Sequence, residues 1–127
     1  MIDLKKIVGG RMNVPEPEIH TAGCAIVPGM ALTLTNGKLT LCEPTAVPTH
    51  ISLGSAKDGE KVACYSVAHD HIYEVPCSAS PAALTEGDKV TLGADGVTVT
   101  ATTASGVATV VSLNGAKNAG DIIVVKF

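Results

Sequence analysis

The stretch MALTLTNGKLTL, residues 30–41, decides the fold class. Apolar and polar residues alternate on both sides of Asn36 and Gly37, and this period of two is typical of a strand with one buried face. An Asn-Gly pair favours the tight turn of a two-residue hairpin, because both residues tolerate positive φ. The stretch therefore predicts two antiparallel strands joined by a structural turn at Asn36 and Gly37.

A second stretch has the same design. Residues 89–102, KVTLGADGVTVTAT, alternate around Asp95 and Gly96, which we predict as the matching structural turn. Gly and Pro recur along the chain at the spacing of turns between short strands, and no segment shows a helical period of adequate length. The sequence therefore predicts an all-β chain that forms a small barrel or sandwich.

The two hairpins belong to longer segments that resemble each other. THISLGSAKDGEKVACYSV, residues 49–67, aligns with TVVSLNGAKNAGDIIVVKF, residues 109–127, at a nearly constant offset. We predict an internal repeat over about 27–67 and 85–127, two hairpin units of about 45 residues that close on each other. Hairpin chemistry alone also produces part of this similarity, so the repeat is a hypothesis.

The core has to be built from aliphatic side chains. Hydrophobic residues make up 46% of the chain, yet only 2% are aromatic, namely Tyr65, Tyr73 and Phe127. A buried Val, Ile or Leu contributes only about 1.5–3 kcal/mol, which favours further stabilisation by self-association or by docking on a larger body. We therefore expect a homo-oligomer.

Charge and composition argue against several partners. The net charge is −3 and Arg11 is the single arginine, whereas nucleic-acid-binding surfaces concentrate Lys and Arg. No apolar run approaches the ~18 residues of a membrane-spanning helix, and MIDLKKIVGG is too charged for a signal peptide. We expect no nucleic acid partner, no membrane partner, and synthesis in the cytoplasm.

The N-terminal region differs from the rest of the chain. Pro15 and Pro17 hold their segment extended and keep it out of the centre of a sheet. We predict an extended N-terminal arm over 1–20, followed by a single β domain over 21–127. A disordered leader is the alternative that the sequence leaves open.

The segment AHDHIYEVPC, residues 68–77, carries the densest polar chemistry. On a strand, His69 and His71 would share one face, and two imidazoles at this spacing can bind a metal. We predict no metal site, and name His69 and His71 only as metal candidates. The segment lies on the crossing between the two units, where we predict Tyr73 to be a packing anchor. Candidate third ligands are His50, Glu74 and His20.

The remaining motifs do not indicate an enzyme. No C-x-x-C pair, nucleophile elbow, P-loop or G-x-G-x-x-G motif occurs. The four cysteines are Cys24, Cys42, Cys64 and Cys77, and we predict that they are reduced and mostly buried. We also predict no catalytic residue, no cofactor and no enzymatic activity.

From LTEGDKVTLGADGVTVTAT through GVATVVSL to GDIIVVKF, the chain resembles a known group of proteins. It is similar to the small β-rich capsid decoration or head-stabilising proteins of tailed bacteriophages. The resemblance covers about residues 27–127 and is clearest over 84–127. It consists of a rhythm of glycines and strands rather than a catalytic signature.

The resemblance implies a structural virion protein on the capsid surface, assembled in the bacterial host cytoplasm. Its expected partners are the major capsid protein and further copies of itself, most simply in a trimer. The N-terminal arm would contact the capsid, and deleting residues 1–13 would weaken attachment without unfolding the domain. The expected contact residues are Ile2, Leu4, Ile7, Val8, Arg11, Val14 and Pro15.

Two other interpretations remain open. The chain could be another phage structural β-barrel, such as a head fibre base, a tail tube or a head–tail joining protein. It could also be a small metal-binding module or enzyme that uses His69 and His71.

Overall fold

The computed structural model describes residues 1–7 and 16–127, and the prediction of an all-β fold is confirmed there. No helix long and apolar enough to cross a membrane occurs in these two ranges. The strands are β1 (Asp3–Ile7), β2 (Glu18–Ala22), β3 (Ala31–Thr35), β4 (Lys38–Leu41), β5 (His50–Ser52), β6 (Lys61–Ser66), β7 (His71–Pro76), β8 (Lys89–Val90), β9 (Ala108–Ser112) and β10 (Ile122–Lys126).

The first half of the chain forms a closed barrel. Its strand order is β2-β4-β3-β5-β6, and β6 pairs back onto β2. The β2–β4 pair is parallel and the other pairs are antiparallel. Closure removes the unpaired edges that an open sheet of this length would present. The buried side chains inside the barrel are Ala22, Ile26, Met30, Leu32, Leu39, Ala56, Val62 and Cys64.

The second half forms a sheet of order β1-β7-β10-β9-β8 that curls back on itself. Beyond β8, Leu92 pairs with Val99, and Val99 forms a parallel bridge to Cys77 at the end of β7. These two bridges connect the far side of the sheet to β7. The second half is therefore also barrel-like, with β1 added along the outer side of β7.

The two predicted turns differ in detail. Asn36 and Gly37 have φ of 52° and 76°, as the two-residue turn between β3 and β4 requires. Gly96 has φ of 75°, whereas Asp95 acts through its side chain, whose Oδ1 accepts a hydrogen bond from the Val97 amide at 3.0 Å. The second turn is therefore wider than the first and is held by a carboxylate.

The hydrogen bonding of the second half repeats that of the first. β2 pairs with β6 as β7 pairs with β10, and β3–β5–β6 has its counterpart in β8–β9–β10. The parallel pair Ala22–Leu39 corresponds to the parallel pair Cys77–Val99. The correspondence includes β2 and β7 and therefore begins upstream of both predicted units. Descent from a duplication stays a prediction.

The segment over 68–77 is not a mere crossing between units. β7 lies between β1 and β10 and is the counterpart of β2. The His71 amide donates to the Ala68 carbonyl at 3.1 Å, so the chain turns here and places an exposed His69 before the strand. His71 begins β7 and is buried. The prediction that His69 and His71 share one face of a strand is therefore wrong, because only His71 lies on β7.

The predicted boundary at residue 20 is also corrected. Residues 3–7 are extended, but they pair with β7 of the same chain, and β2 runs across the boundary. Ile2 is only 2% exposed and belongs to the core. Residues 1–7 are thus part of the fold rather than a free arm. Four predicted contact residues lie outside the described residues: Val8, Arg11, Val14 and Pro15.

A shared core joins the two halves. Ala31, Cys42 and Ile51 from the barrel pack in the same cluster as Tyr73 and the interior residues of the second half. Aliphatic side chains dominate this cluster, as the composition requires. The other buried members are Ile2, Val75, Cys77, Leu84, Val90, Leu92, Val99, Ala108, Val110, Ile123 and Val125.

Candidate functional site

A groove opens where the N-terminus meets the first barrel. The Ile2 amide donates to the Gly29 carbonyl at 3.0 Å, and the Gly29 amide donates to the Ser52 carbonyl at 2.9 Å, which fixes Met1 beside the barrel. The groove has a volume of about 300 Å³. It is lined by Met1, Ile2, Asp3, Leu4, Pro28, Gly29, Ile51, Ser52, Leu53, Tyr65 and Tyr73.

Apart from the exposed Asp3, the rim of the groove carries large apolar side chains. Met1 and Leu53 line it and are 54% and 41% exposed, and Val27, next to the lining residue Pro28, is 46% exposed. Large exposed apolar side chains that lie together are typical of protein interaction sites, whereas scattered ones are ordinary. The groove is therefore a candidate partner surface.

Strand β1 offers a second means of attachment. It is the end strand of its sheet and pairs only with β7 among the described strands, while Lys5 Nζ lies 2.8 Å from Glu74 Oε1 across that pair. The outer side of an end strand can accept the strand of another chain by main-chain hydrogen bonds. Of the predicted contacts, Ile7 ends β1, Leu4 is half-buried against the core, and Ile2 is enclosed.

Tyr73 is the largest of the fully buried side chains. Its ring centroid lies 5.4 Å from that of Phe127, and its hydroxyl lies 3.3 Å from His71 Nδ1. Burial raises the pKa of Tyr73, and the charge of Asp70 raises it further, so the phenol stays neutral. Tyr73 thus closes the floor of the groove as a packing residue.

The metal candidates His69 and His71 do not come together with a third ligand in the part of the chain that the structure describes. Glu74 is engaged by Lys5, and His71 is next to Tyr73. Ligand-type side chains gather instead at His20, His50 and Cys64, whose ligand atoms all lie within 4.8 Å of one another. The sequence suggests His20 and His50 as third ligands, but it contains no strand register that would place them beside Cys64.

The first barrel therefore contains a polar cluster, which we define as Glu18, His20, His50 and Cys64. Glu18 Oε1 accepts hydrogen bonds from Nε2 of both histidines, at 2.9 Å for His20 and 3.2 Å for His50. These bonds lower the pKa of Glu18 and keep it charged. On the other side of the ring, His50 Nδ1 lies 2.9 Å from Thr49 Oγ1.

The thiol of this cluster is buried. Cys64 has no exposed surface, and its Sγ lies 3.6 Å from the Glu18 carbonyl oxygen, to which it donates. Burial raises the pKa of Cys64 to about 11, with a smaller contribution from the charge of Glu18. Burial likewise raises the pKa of Cys42 and Cys77. Thiols with raised pKa values stay protonated near neutral pH, and a protonated thiol is a poor nucleophile.

These features define a small all-β protein with two barrel-like halves, an apolar groove and an end strand, β1, that pairs on one side only within the described residues. No protein-family model matches the chain, and no curated protein matches it. Among solved structures, the chain is similar to the N base of the head fiber gp8.5 in bacteriophage phi29, with a TM-score of 0.62 and 16% identity. The alignment covers 88% of this chain and 92% of that chain.

At this identity the likeness establishes a shared fold. It extends over nearly the whole of both chains and is not a local match. At the level of fold, the comparison agrees with the resemblance to small β-rich capsid decoration or head-stabilising proteins that the glycine and strand rhythm indicated.

Proposed function

We propose that the protein is a structural component of a tailed-phage virion that attaches to the outside of the capsid. The fold shared with a head fibre base over almost the full length of both chains carries this proposal. The proposal also accounts for the apolar groove, which has the character of a protein interface. The role is non-enzymatic: the protein works by binding.

Of the structural roles considered, a head fibre base has a specific observation in its favour. A solved structure with the same fold carries that description, whereas capsid decoration rests on the sequence resemblance. Both roles require a module that binds the major capsid protein shell. We therefore propose a capsid-binding base, and keep decoration as a variant of the same role.

The proposed capsid contact consists of the groove rim and the outer side of β1. The rim supplies apolar area, and the end strand supplies main-chain donors and acceptors for an added strand. This surface replaces the free arm expected from the sequence, because Ile2 is enclosed in the fold. We propose a homo-oligomer, a trimer in the simplest case, because repeated contacts strengthen attachment to a shell.

Binding to heads tests this role. The purified protein should co-sediment with heads of the parent phage that lack it, and should raise their resistance to heat. Leu53→Lys should abolish co-sedimentation, because it places a charge on the apolar rim. Val47→Lys is the matched control: Val47 is 55% exposed, does not line the groove, and its replacement should leave binding unchanged.

Absence of co-sedimentation by the wild-type protein would overturn the capsid-binding role. Equal binding by the Leu53 and Val47 variants would leave the role intact and would show that the groove rim is not the contact.

A further inference from the structure

The cluster of Glu18, His20, His50 and Cys64 is assembled by strand register. The β2–β6 ladder places Glu18 opposite Cys64, and the β5–β6 ladder places His50 opposite Ser66. Residues two apart share a face of a strand, so all four cluster side chains lie on the face that lines the barrel. They come from three different strands, and a group that binds them would tie those strands together.

The second half fills the same four positions with apolar side chains. Its residues there are fully buried and carry no ligand group except the Tyr73 hydroxyl. In the second half, apolar packing therefore closes this end of the barrel-like fold. The ladder registers assign the counterparts as Glu18–Tyr73, His20–Val75, His50–Ala108 and Cys64–Val125.

The polar set in the first barrel is buried but fully partnered. His50 is 6% exposed and Cys64 is fully buried, and Thr49, Glu18 and the Glu18 carbonyl supply the partners that burial of polar groups requires. Since the fold tolerates an apolar set at these positions, the polar set requires a reason of its own.

The donor set is that of a transition-metal ion. Two imidazoles, one thiolate and one carboxylate are ligands of tetrahedral zinc, with bonds of about 2.0–2.1 Å to nitrogen and 2.3 Å to sulfur. Such bonds set ligand atoms about 3.3–3.8 Å apart. In the structure the ligand atoms of His20, His50 and Cys64 lie within 4.8 Å of one another, which is about 1 Å wider than that range.

The surroundings already orient the ligands. Thr49 Oγ1 contacts His50 Nδ1 and leaves Nε2 directed at the cluster, which is the second-shell arrangement common around zinc. Glu18 Oε1 contacts Nε2 of both His20 and His50, so its carboxylate sits where the two imidazoles converge. On binding, a cation would replace the proton on each Nε2 atom and on the Cys64 sulfur; each neutral imidazole would carry its proton on Nδ1, and the thiol proton would be released to solvent.

We propose that the first barrel binds one divalent transition-metal ion, zinc in the first instance, through His20, His50 and Cys64 with Glu18 as the fourth ligand. The ion acts as a structural staple that joins β2, β5 and β6. Since it binds the folded chain and its ligands are dispersed in the unfolded chain, it raises the stability of the barrel.

The test uses the full chain purified without an affinity tag, titrated with zinc and, separately, with cobalt. We expect one ion per chain, a higher unfolding temperature with zinc, and a thiolate-to-cobalt charge-transfer band with cobalt. Cys64→Val copies the counterpart Val125 and should weaken zinc binding by more than about 100-fold, since even second-shell changes cost about 10–100-fold. Cys77→Ala copies the counterpart Ala22 and is the matched control, with zinc binding unchanged.

His50→Ala, which copies Ala108, should weaken binding as much as Cys64→Val. His20→Val replaces a proposed ligand that is only half-buried. It therefore tests the loss of zinc binding even if either buried substitution prevents folding. Failure of the folded wild-type chain to bind zinc or cobalt overturns the proposal. So does a cobalt complex without the charge-transfer band, or zinc binding that survives all three ligand substitutions.

Discussion

Replacement of Tyr73 by alanine should lower the free energy of unfolding by about 3–5 kcal/mol, as for other buried aromatic side chains. Tyr73 is fully buried, contacts Phe127, and forms part of the core that joins the two halves. Only 2% of the chain is aromatic, so few rings are available to fill the cavity left behind. Thermal unfolding should show a decrease of about 10–20 °C.

Two controls separate the ring from its hydroxyl and from aromatic content in general. Tyr73→Phe keeps the ring and loses the contact with His71, so the expected loss is only about 0.5–1.5 kcal/mol. Tyr65→Ala removes a half-buried ring and should cost less than Tyr73→Ala. Equal losses for Tyr65→Ala and Tyr73→Ala would contradict the packing role.

Deletion of residues 1–7 should destabilise the protein as well as alter its surface. It removes the enclosed Ile2, the half-buried Leu4 and the whole β1–β7 ladder, and it opens the groove above Tyr73. The loss of apolar burial alone corresponds to about 2–4 kcal/mol in the free energy of unfolding. Urea unfolding of the truncated and full chains measures the difference. Equal urea midpoints for the two chains would contradict this role and would support the free arm expected from the sequence.

A single substitution tests the same contact without shortening the chain. Gly29 has φ of 70°, and a Cβ there would overlap the Met1 side chain and come within 2.8 Å of the Ile2 amide. Gly59 has φ of 90° but nothing within 4 Å of such a Cβ, so it carries the same backbone strain without the overlap. Gly29→Ala should therefore destabilise the protein more than Gly59→Ala.

Local sequence patterns predicted the fold class because hairpin chemistry is local. The alternation around Asn36 and Gly37 needs no distant contact to be interpreted, and the structure has strands and turn there. The position of residues 3–7 depends instead on their pairing with β7. All the strands of the first barrel lie between β1 and β7 in the sequence. Such long-range pairing leaves no local signal, and the prolines that follow suggested a separate arm.

The polar cluster was beyond sequence analysis for the same reason. His20, His50 and Cys64 are far apart in the chain and meet only through the registers of β2–β6 and β5–β6. The pair His69 and His71 drew attention because it is close in sequence, yet a turn separates the two side chains. Once the strand ladders are known, residues at equivalent positions of the two halves can be compared. A polar residue whose counterpart is apolar is one that the fold does not require.

Imaging of purified virions tests the central claim most directly. Particles of the parent phage, with and without this protein, should differ by density on the outside of the head that accepts the two barrel-like halves, grouped as a trimer. Density on the tail or neck, or identical particles with and without the protein, would contradict a capsid-binding base.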